Sequence, residues 1–231
     1  MSSLLTASIE SFGYPGAGAP LFRDIHLSLQ AGDLLLVSGP GGCGKSAFCY
    51  CLANVIPGFY TAGDLRGSVA IDGVRVTGMP LAQSARYVGL LLQAPERHLC
   101  HLSVGEDIAF GPENRAQPPS AIAQTVADLA GRLELGHLLA RSPHTLSAGE
   151  SQRAALAATL ALDPPVLVFD QPTAHLDTRA RQAFYQLVAR LCREEGKILV
   201  IAETDQRRDD LEALATQRLD LAGSERFPFL G

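Results

Sequence analysis

The clearest chemical signal in the sequence is a glycine-rich stretch that ends in a lysine and a serine. Residues 39–46 fit the pattern GxxxxGK[ST], in which backbone N–H groups point into one concavity and bind phosphate oxygens. In this pattern the lysine, here Lys45, reaches the β- and γ-phosphates, and the hydroxyl of Ser46 ligates Mg²⁺. We therefore predict a binding loop for a triphosphate. Its predicted binding residues are Gly39, Pro40, Gly41, Gly42, Cys43, Gly44, Lys45, Ser46 and Ala47.

A second signal is a carboxylate that closes an apolar run 125 positions after Lys45. Asp170 follows the apolar residues 166–169, which is where a Walker B carboxylate holds Mg²⁺ through water. Such a run is common by chance, but the glycine loop and the block Asp-Gln-Pro-Thr-Ala-His-Leu-Asp at 170–177 strengthen the assignment. We predict Ser46 and Asp170 as metal-binding residues.

The elements around these residues alternate between strand and helix. Residues 34–37 form an apolar run typical of a buried strand, the glycine loop follows, and residues 47–53 fit a helix. The later chain repeats this order with a strand at 166–170, a helix at 177–195 and a strand at 197–202. This alternation predicts an α/β fold with a mostly parallel central sheet.

Two further segments predict additions to that sheet. Residues 68–76 alternate around Asp72-Gly73, which predicts a hairpin and hence an antiparallel β lobe. Residues 103–141 are helical in pattern and broken by prolines, of which Pro112 is the first. We predict one domain over 1–231, with a core and β lobe at 1–92 and 147–231 and an inserted helical subdomain at 93–146.

The composition excludes several classes of protein. The chain has 231 residues, is 47% hydrophobic and carries a net charge of −5, which excludes a mainly disordered chain and argues against a nucleic-acid partner. We expect no secretory signal and no membrane span, and the five cysteines without CxxC spacing indicate a reducing, cytoplasmic compartment. His98, Cys100 and His101 are three potential metal ligands within four residues, but the sequence favours an ordinary loop there.

Other motifs, taken in chain order, resemble those of ATP-binding-cassette (ABC) ATPases. Residues 146–153, Leu-Ser-Ala-Gly-Glu-Ser-Gln-Arg, resemble the LSGGQ signature, and residues 170–177 resemble the family's Walker B and D-loop. Gln93 falls at the Q-loop glutamine and Tyr14 at the aromatic residue that stacks on adenine. The resemblance runs from about residue 4 to about residue 222 and implies the ABC-type P-loop fold.

That resemblance also implies how the site is completed. In this family two cassettes meet head to tail, so Ser147 and Gly149 are expected to contact the γ-phosphate that the partner's P-loop binds. Asp177 is expected at the nucleotide interface, and Gln93 is expected to act in catalysis and to ligate the metal. ATP and Mg²⁺ are the implied cofactors. Locally, Ser147 also fits an ordinary N-cap, while Tyr14 and Gln93 taken alone are unremarkable.

A narrower likeness covers residues 93–114. This stretch looks like the QNP…TVEEDVAFGPEN segment of energy-coupling-factor (ECF) transporter ATPases, which drive uptake of vitamins and of cobalt or nickel ions; residues 107–114 are its most specific part. Residues 56–60 and 67–69 also fit. The likeness implies contact with a transmembrane coupling subunit beside a substrate-binding membrane protein, at the inner face of the membrane. Without the likeness, the stretch predicts an amphipathic helix capped by Pro112.

The sequence departs from the family at the residues that carry catalysis. The residue after the Walker B aspartate is normally Glu, but here it is Gln171, whose amide positions water without accepting its proton at neutral pH. Residues 203–205 align with the family's T-H-D, so Thr204 replaces the switch histidine. An engineered substitution would explain Gln171 but not Thr204. Glu203 is a candidate for a displaced base, although an acid at a strand end is expected to face solvent.

The signature departs as well, with Ala148 for a glycine and Glu150 for a glutamine. We predict that the chain binds MgATP at its own P-loop and hydrolyses it slowly, while its signature completes the site of a second, intact cassette in a heterodimer that energises an importer. The alternatives are a homodimer, another transporter class, or a nucleotide-gated regulatory module without turnover. Chromosome or DNA-repair ABC proteins would need a long coiled-coil insertion between the Walker motifs, and 125 positions leave no room for it.

Overall fold

A computed structural model describes residues 4–61, 63–204, 209–221 and 226–228. The strands are β1 (Leu4–Gly13), β2 (Phe22–Gln30), β3 (Leu34–Ser38), β4 (Asp64–Ile71), β5 (Val74–Arg75), β6 (Val88–Leu91), β7 (Val166–Asp170), β8 (Ile198–Ala202), β9 (Gln217–Asp220) and β10 (Arg226–Pro228). The α-helices are α1 (Lys45–Leu52), α2 (Val55–Gly58), α3 (Leu81–Ser84), α4 (Val104–Asn114), α5 (Pro119–Arg132), α6 (Ala148–Leu160), α7 (Thr178–Arg193) and α8 (Asp209–Glu212).

The strands form two sheets, as the sequence predicts. The larger sheet has the order β10-β9-β3-β8-β7-β6, and its pairings are parallel except for β10 with β9. The smaller sheet, β2-β1-β4-β5, is antiparallel. Its β4–β5 hairpin turns at the predicted Asp72-Gly73 pair, both with positive φ. The prediction of a parallel core with an antiparallel β lobe is confirmed.

The central strands are buried on both faces, which explains why they are continuously apolar in sequence. In β3, Leu34 and Leu36 face a cluster formed with α4, α5, α6 and α7, whereas Leu35 and Val37 face the β lobe and α1. Residues therefore alternate between two apolar cores on either side of one sheet. Burial on both faces holds β3 in place within the sheet. The glycine loop begins directly after the end of this strand.

The helical region differs from the sequence expectation at Pro112. This proline lies inside α4 and does not end it, since the helix continues to Asn114. A proline removes one N–H donor from the hydrogen bonds of a helix. Pro112 lies in the last turn of α4, with only two helical residues after it, so the helix loses a single hydrogen bond near its end. The helix that the ECF likeness covers thus extends two residues beyond the break that Pro112 predicts.

Within the described residues, none of the helices combines the length and the apolar composition that crossing a membrane requires.

Candidate functional site

The glycine loop joins the end of β3 to the first turn of α1 and requires glycine for steric reasons. Gly44 has φ of 104°, and a Cβ there would lie 2.7 Å from Cδ2 of Leu21, so any larger residue is both strained and crowded. Lys45 is buried, and its Nζ donates to the carbonyl oxygens of Gly39 at 2.6 Å and Pro40 at 2.9 Å. The ammonium group therefore lies against the loop that is predicted to bind phosphate.

Asp170 lies at the end of β7 and is 2% exposed. Burial raises the pKa of its carboxyl, while a hydrogen bond from Ser46 and the charge of Lys45 oppose that rise. Among the described residues its Oδ1 has no hydrogen-bond partner, which is costly for a buried carboxylate oxygen. An unpartnered carboxylate oxygen beside a serine hydroxyl is the oxygen donor set that Mg²⁺ prefers, so these two residues fit the predicted metal.

The residues after β7 and β8 lie side by side, because Asp170 pairs with Ala202 in the sheet. Gln171 has φ of 47°, and its N–H donates to the carbonyl of Ala202 at 2.9 Å. Glu203 follows Ala202 directly. The edge that carries Asp170 therefore also carries Gln171 and Glu203.

The expectation that Glu203 faces solvent is wrong. Glu203 is 1% exposed, and its Oε1 accepts a hydrogen bond from Thr173 Oγ1 at 2.7 Å. Its Oε2 accepts from the N–H of Thr204 at 3.2 Å. The hydrogen bond from the Thr173 hydroxyl offsets part of the free-energy cost of burying this carboxyl. Thr173 lies 30 positions away in the sequence, so no local pattern reveals the contact. Asp205, which completes the aligned T-H-D, lies outside the described residues.

The signature segment begins α6 with a closed capping box. Ser147 Oγ accepts from the N–H of Glu150 at 3.4 Å and donates to Glu150 Oε2 at 2.8 Å. The same carboxylate oxygen accepts from the N–H of Ser147 at 2.8 Å. Hydrogen bonds from the Ser147 backbone and side chain lower the pKa of Glu150. The sequence predicts the N-cap. It does not show that the Ser147 hydroxyl donates its hydrogen bond to the Glu150 carboxylate.

The remaining predicted residues lie at surface positions. Tyr14 is 48% exposed, and its ring packs edge-on against Phe12 with centroids 5.2 Å apart. Gln93 is exposed after β6, and Asp177 caps α7 by accepting from the N–H of Ala180 at 2.8 Å. In the described part of the chain, neither Tyr14, Gln93 nor Ser147 hydrogen-bonds to the glycine loop. The structure therefore brings Lys45, Ser46 and Asp170 together in one site. Tyr14, Gln93 and Asp177 lie outside that group, at the surface.

The sequence is similar to that of known proteins over most of its length. A model of the family described as "ABC transporter" matches residues 22–174. An ABC transporter ATP-binding protein of Vibrio vulnificus, provisionally so named, is 36% identical over 193 residues, which are 84% of this chain and 33% of the relative. A Bacillus subtilis protein provisionally named HMP/thiamine import ATP-binding protein YkoD is 34% identical over 201 residues, or 87% of this chain and 37% of the relative. The chain thus spans about a third of the length of these curated relatives.

A solved structure supports the fold. The structure of CbiO1 from Clostridium perfringens, described as part of the ABC transporter complex CbiONQ, superposes with a TM-score of 0.79 and 24% identity. The match covers 94% of this chain and 83% of that one.

Proposed function

The chain belongs to the ABC transporter family, and from that premise we propose that it is the ATP-binding subunit of a membrane importer of the ECF type. The observation that carries the proposal is the joined site: Lys45 on the glycine loop, with the Ser46 hydroxyl against the buried Asp170 carboxyl. The name of YkoD, provisionally an import ATP-binding protein, supports the importer class. The ECF-like segment at 93–114 points the same way.

The chain's own residues bind and orient the nucleotide. Backbone N–H groups of the loop from Gly41 to Ser46 surround the phosphates, whereas Pro40 has no N–H group, and the N-terminus of α1 adds positive potential. Lys45 exchanges its two loop carbonyls for phosphate oxygens, which are stronger, charge-assisted acceptors. Ser46 and Asp170 would hold Mg²⁺, which neutralises phosphate charge when bound.

Turnover at this site is expected to be slow. Gln171 can hold a water molecule but cannot take its proton, and a positioned general base contributes about 10²–10⁴ in rate. Thr204 stands where the family places a histidine. We propose that nucleotide binding closes this chain on a second cassette with intact catalytic residues, at the inner face of the membrane. Ser147 and Gly149 would then complete the partner's site, and a coupling subunit and a substrate-binding membrane protein complete the importer.

The second candidate is a nucleotide-gated module that never turns over ATP at its own site. The two replaced residues, Gln171 and Thr204, favour it. A filter-binding assay with MgATP, run beside a phosphate-release assay, separates the candidates. The importer subunit is expected to retain ATP and to gain phosphate release when a second cassette is added, whereas the module retains ATP in both conditions. Fast release by the isolated chain would contradict both.

A further inference from the structure

We propose that Cys100, His101 and Asp107 form a binding site for a Zn²⁺-like divalent ion, separate from the nucleotide site. Cys100 and His101 lie in the loop before α4, and Asp107 lies in the first turn of that helix. The cysteine and the histidine lie in a stretch that the sequence predicts to be an ordinary loop. The structure adds the third group, a carboxylate six and seven positions away.

The sulfur–nitrogen spacing of the cluster already matches that of a tetrahedral site. Cys100 Sγ lies 3.5 Å from His101 Nδ1, and that nitrogen lies 2.8 Å from Asp107 Oδ1. All three ligand atoms lie within 4.8 Å of one another. Zinc bonds of about 2.0–2.3 Å place tetrahedral ligand atoms about 3.3–3.6 Å apart. The sulfur–nitrogen distance needs no change, and the nitrogen–oxygen distance must open by about half an ångström.

An independent observation points to a cation at this place. The Asp107 side chain is 2% exposed, yet within the described residues its Oδ2 has no hydrogen-bond partner. Its other oxygen accepts from the N–H groups of Cys100 and His101 at 2.9 and 3.1 Å. A buried carboxylate oxygen without a partner costs free energy, and an ion that Asp107 binds through both of its oxygens would remove that cost.

The ligands are also held in place before any ion binds. The two backbone hydrogen bonds fix Asp107 against the loop, and the His101 ring packs on Phe110 with centroids 4.7 Å apart. Since a carboxylate only accepts hydrogen bonds, His101 Nδ1 donates to Asp107, and the ion would take the place of that proton. Cys100 is exposed and the His101 side chain is 30% exposed, which leaves an entry path and a fourth position for water.

The donor set decides which ion fits. A thiolate, an imidazole and a carboxylate together suit Zn²⁺ and related borderline ions, whereas Mg²⁺ prefers oxygen ligands alone. His98 is not part of the site, because its Nε2 accepts the N–H of Leu92 at 2.7 Å. The proposed site is thus chemically distinct from the Ser46–Asp170 pair.

The test titrates Zn²⁺ into the untagged, nucleotide-free chain in competition with a chromogenic chelator. We expect one Zn²⁺ per chain, with Cys100→Ser and His101→Gln each weakening its affinity at least about tenfold. His137→Gln is the matched control, since His137 is an exposed histidine outside the cluster, and it should bind as the parent does. Circular dichroism of each variant verifies folding; Asp107 is left unchanged because it also holds the loop backbone.

Co²⁺ supplies a second readout. The Co²⁺-loaded parent should show a thiolate-to-cobalt charge-transfer band, and Cys100→Ser should lose it. Absence of a stoichiometric ion in the parent would mean that His101 and Asp107 form only a hydrogen-bonded pair. Equal affinity of the parent and Cys100→Ser would place the ion elsewhere. Either result overturns the proposal.

Discussion

Replacing Glu150 with glutamine separates two roles of one carboxylate. Its Oε2 accepts from both the N–H and the hydroxyl of Ser147 at 2.8 Å, so its charge lies at the N-terminus of α6 and on the group proposed to meet the partner's γ-phosphate. Glutamine preserves the capping box, in which Glu and Gln are both accepted, and removes only the charge. We expect Glu150→Gln to lower the stability of the chain slightly and to strengthen its ATP-driven association.

The two effects differ in sign and in size. A charge in the first turn of an exposed helix stabilises it by about 0.3–1 kcal/mol, which for a chain of this size lowers Tm by about 1–4 °C when removed. The Ser147 hydroxyl has one proton, so a phosphate oxygen must take it from Glu150 Oε2. With each contact to Oγ spanning about 2.8 Å, that oxygen would lie about 5 Å from the carboxylate. At that distance two unit charges repel by about 1 kcal/mol in a water-like surrounding, so removing one should tighten association about fivefold.

Thermal denaturation of the chain measures the first effect, and sedimentation equilibrium of the chain mixed with the second cassette and MgATP measures the second. The pKa of Glu150 is lowered in the folded chain, so its stabilisation is present above the unfolded value of 4.5 and is lost as the pH falls through the folded value. The Tm difference between parent and variant should therefore shrink below about pH 4.5. Weaker ATP-driven association of Glu150→Gln, with unchanged ATP affinity of the monomer, would refute the proposed repulsion.

Three other substitutions test the site and the core. Lys45→Ala should weaken MgATP affinity about 10–100-fold by calorimetry, because each hydrogen bond from a charged donor is worth about 1.5–3 kcal/mol; an unchanged affinity would remove the glycine loop from the binding site. Gln171→Glu should raise phosphate release by the closed assembly by up to about 10²-fold, with Gln171→Ala as a control that should not. Burial lowers the pKa of His98 to about 4, so the unfolded chain binds a proton between pH 6.5 and 4 that the folded chain does not. The parent should lose about 3 kcal/mol of unfolding free energy over that range, and His98→Gln should lose less; equal urea-denaturation profiles would contradict it.

Much of the site could be predicted because its signals are local. The glycine loop from Gly39 to Ser46 and the carboxylate of Asp170 each stand at the end of an apolar strand, and parallel strands bring such ends to one edge of the sheet. The fold class followed from the same alternation of strand and helix. These parts depend on spacing and period, which a single sequence displays directly.

Other parts depend on partners that lie far apart along the chain. The burial of Glu203 requires Thr173, and the unpartnered oxygen of Asp107 becomes visible only when the loop folds back on α4. Pro112 was expected to break a helix that continues past it, since the propensity of one residue yields to the packing of α4 against its neighbours. Tertiary contacts of this kind leave no periodic trace in the sequence.

The contacts of Lys45 bear on how quickly a ligand enters. The Lys45 ammonium donates to two carbonyl oxygens of its own loop, so it is held against the concavity that is predicted to bind phosphate. An incoming ligand must replace those oxygens, and an anion offers stronger, charge-assisted acceptors than a neutral molecule does. The loop should therefore favour anionic ligands. Because two hydrogen bonds must be exchanged, we expect the association rate of ATP to depend more steeply on temperature than diffusion alone would give.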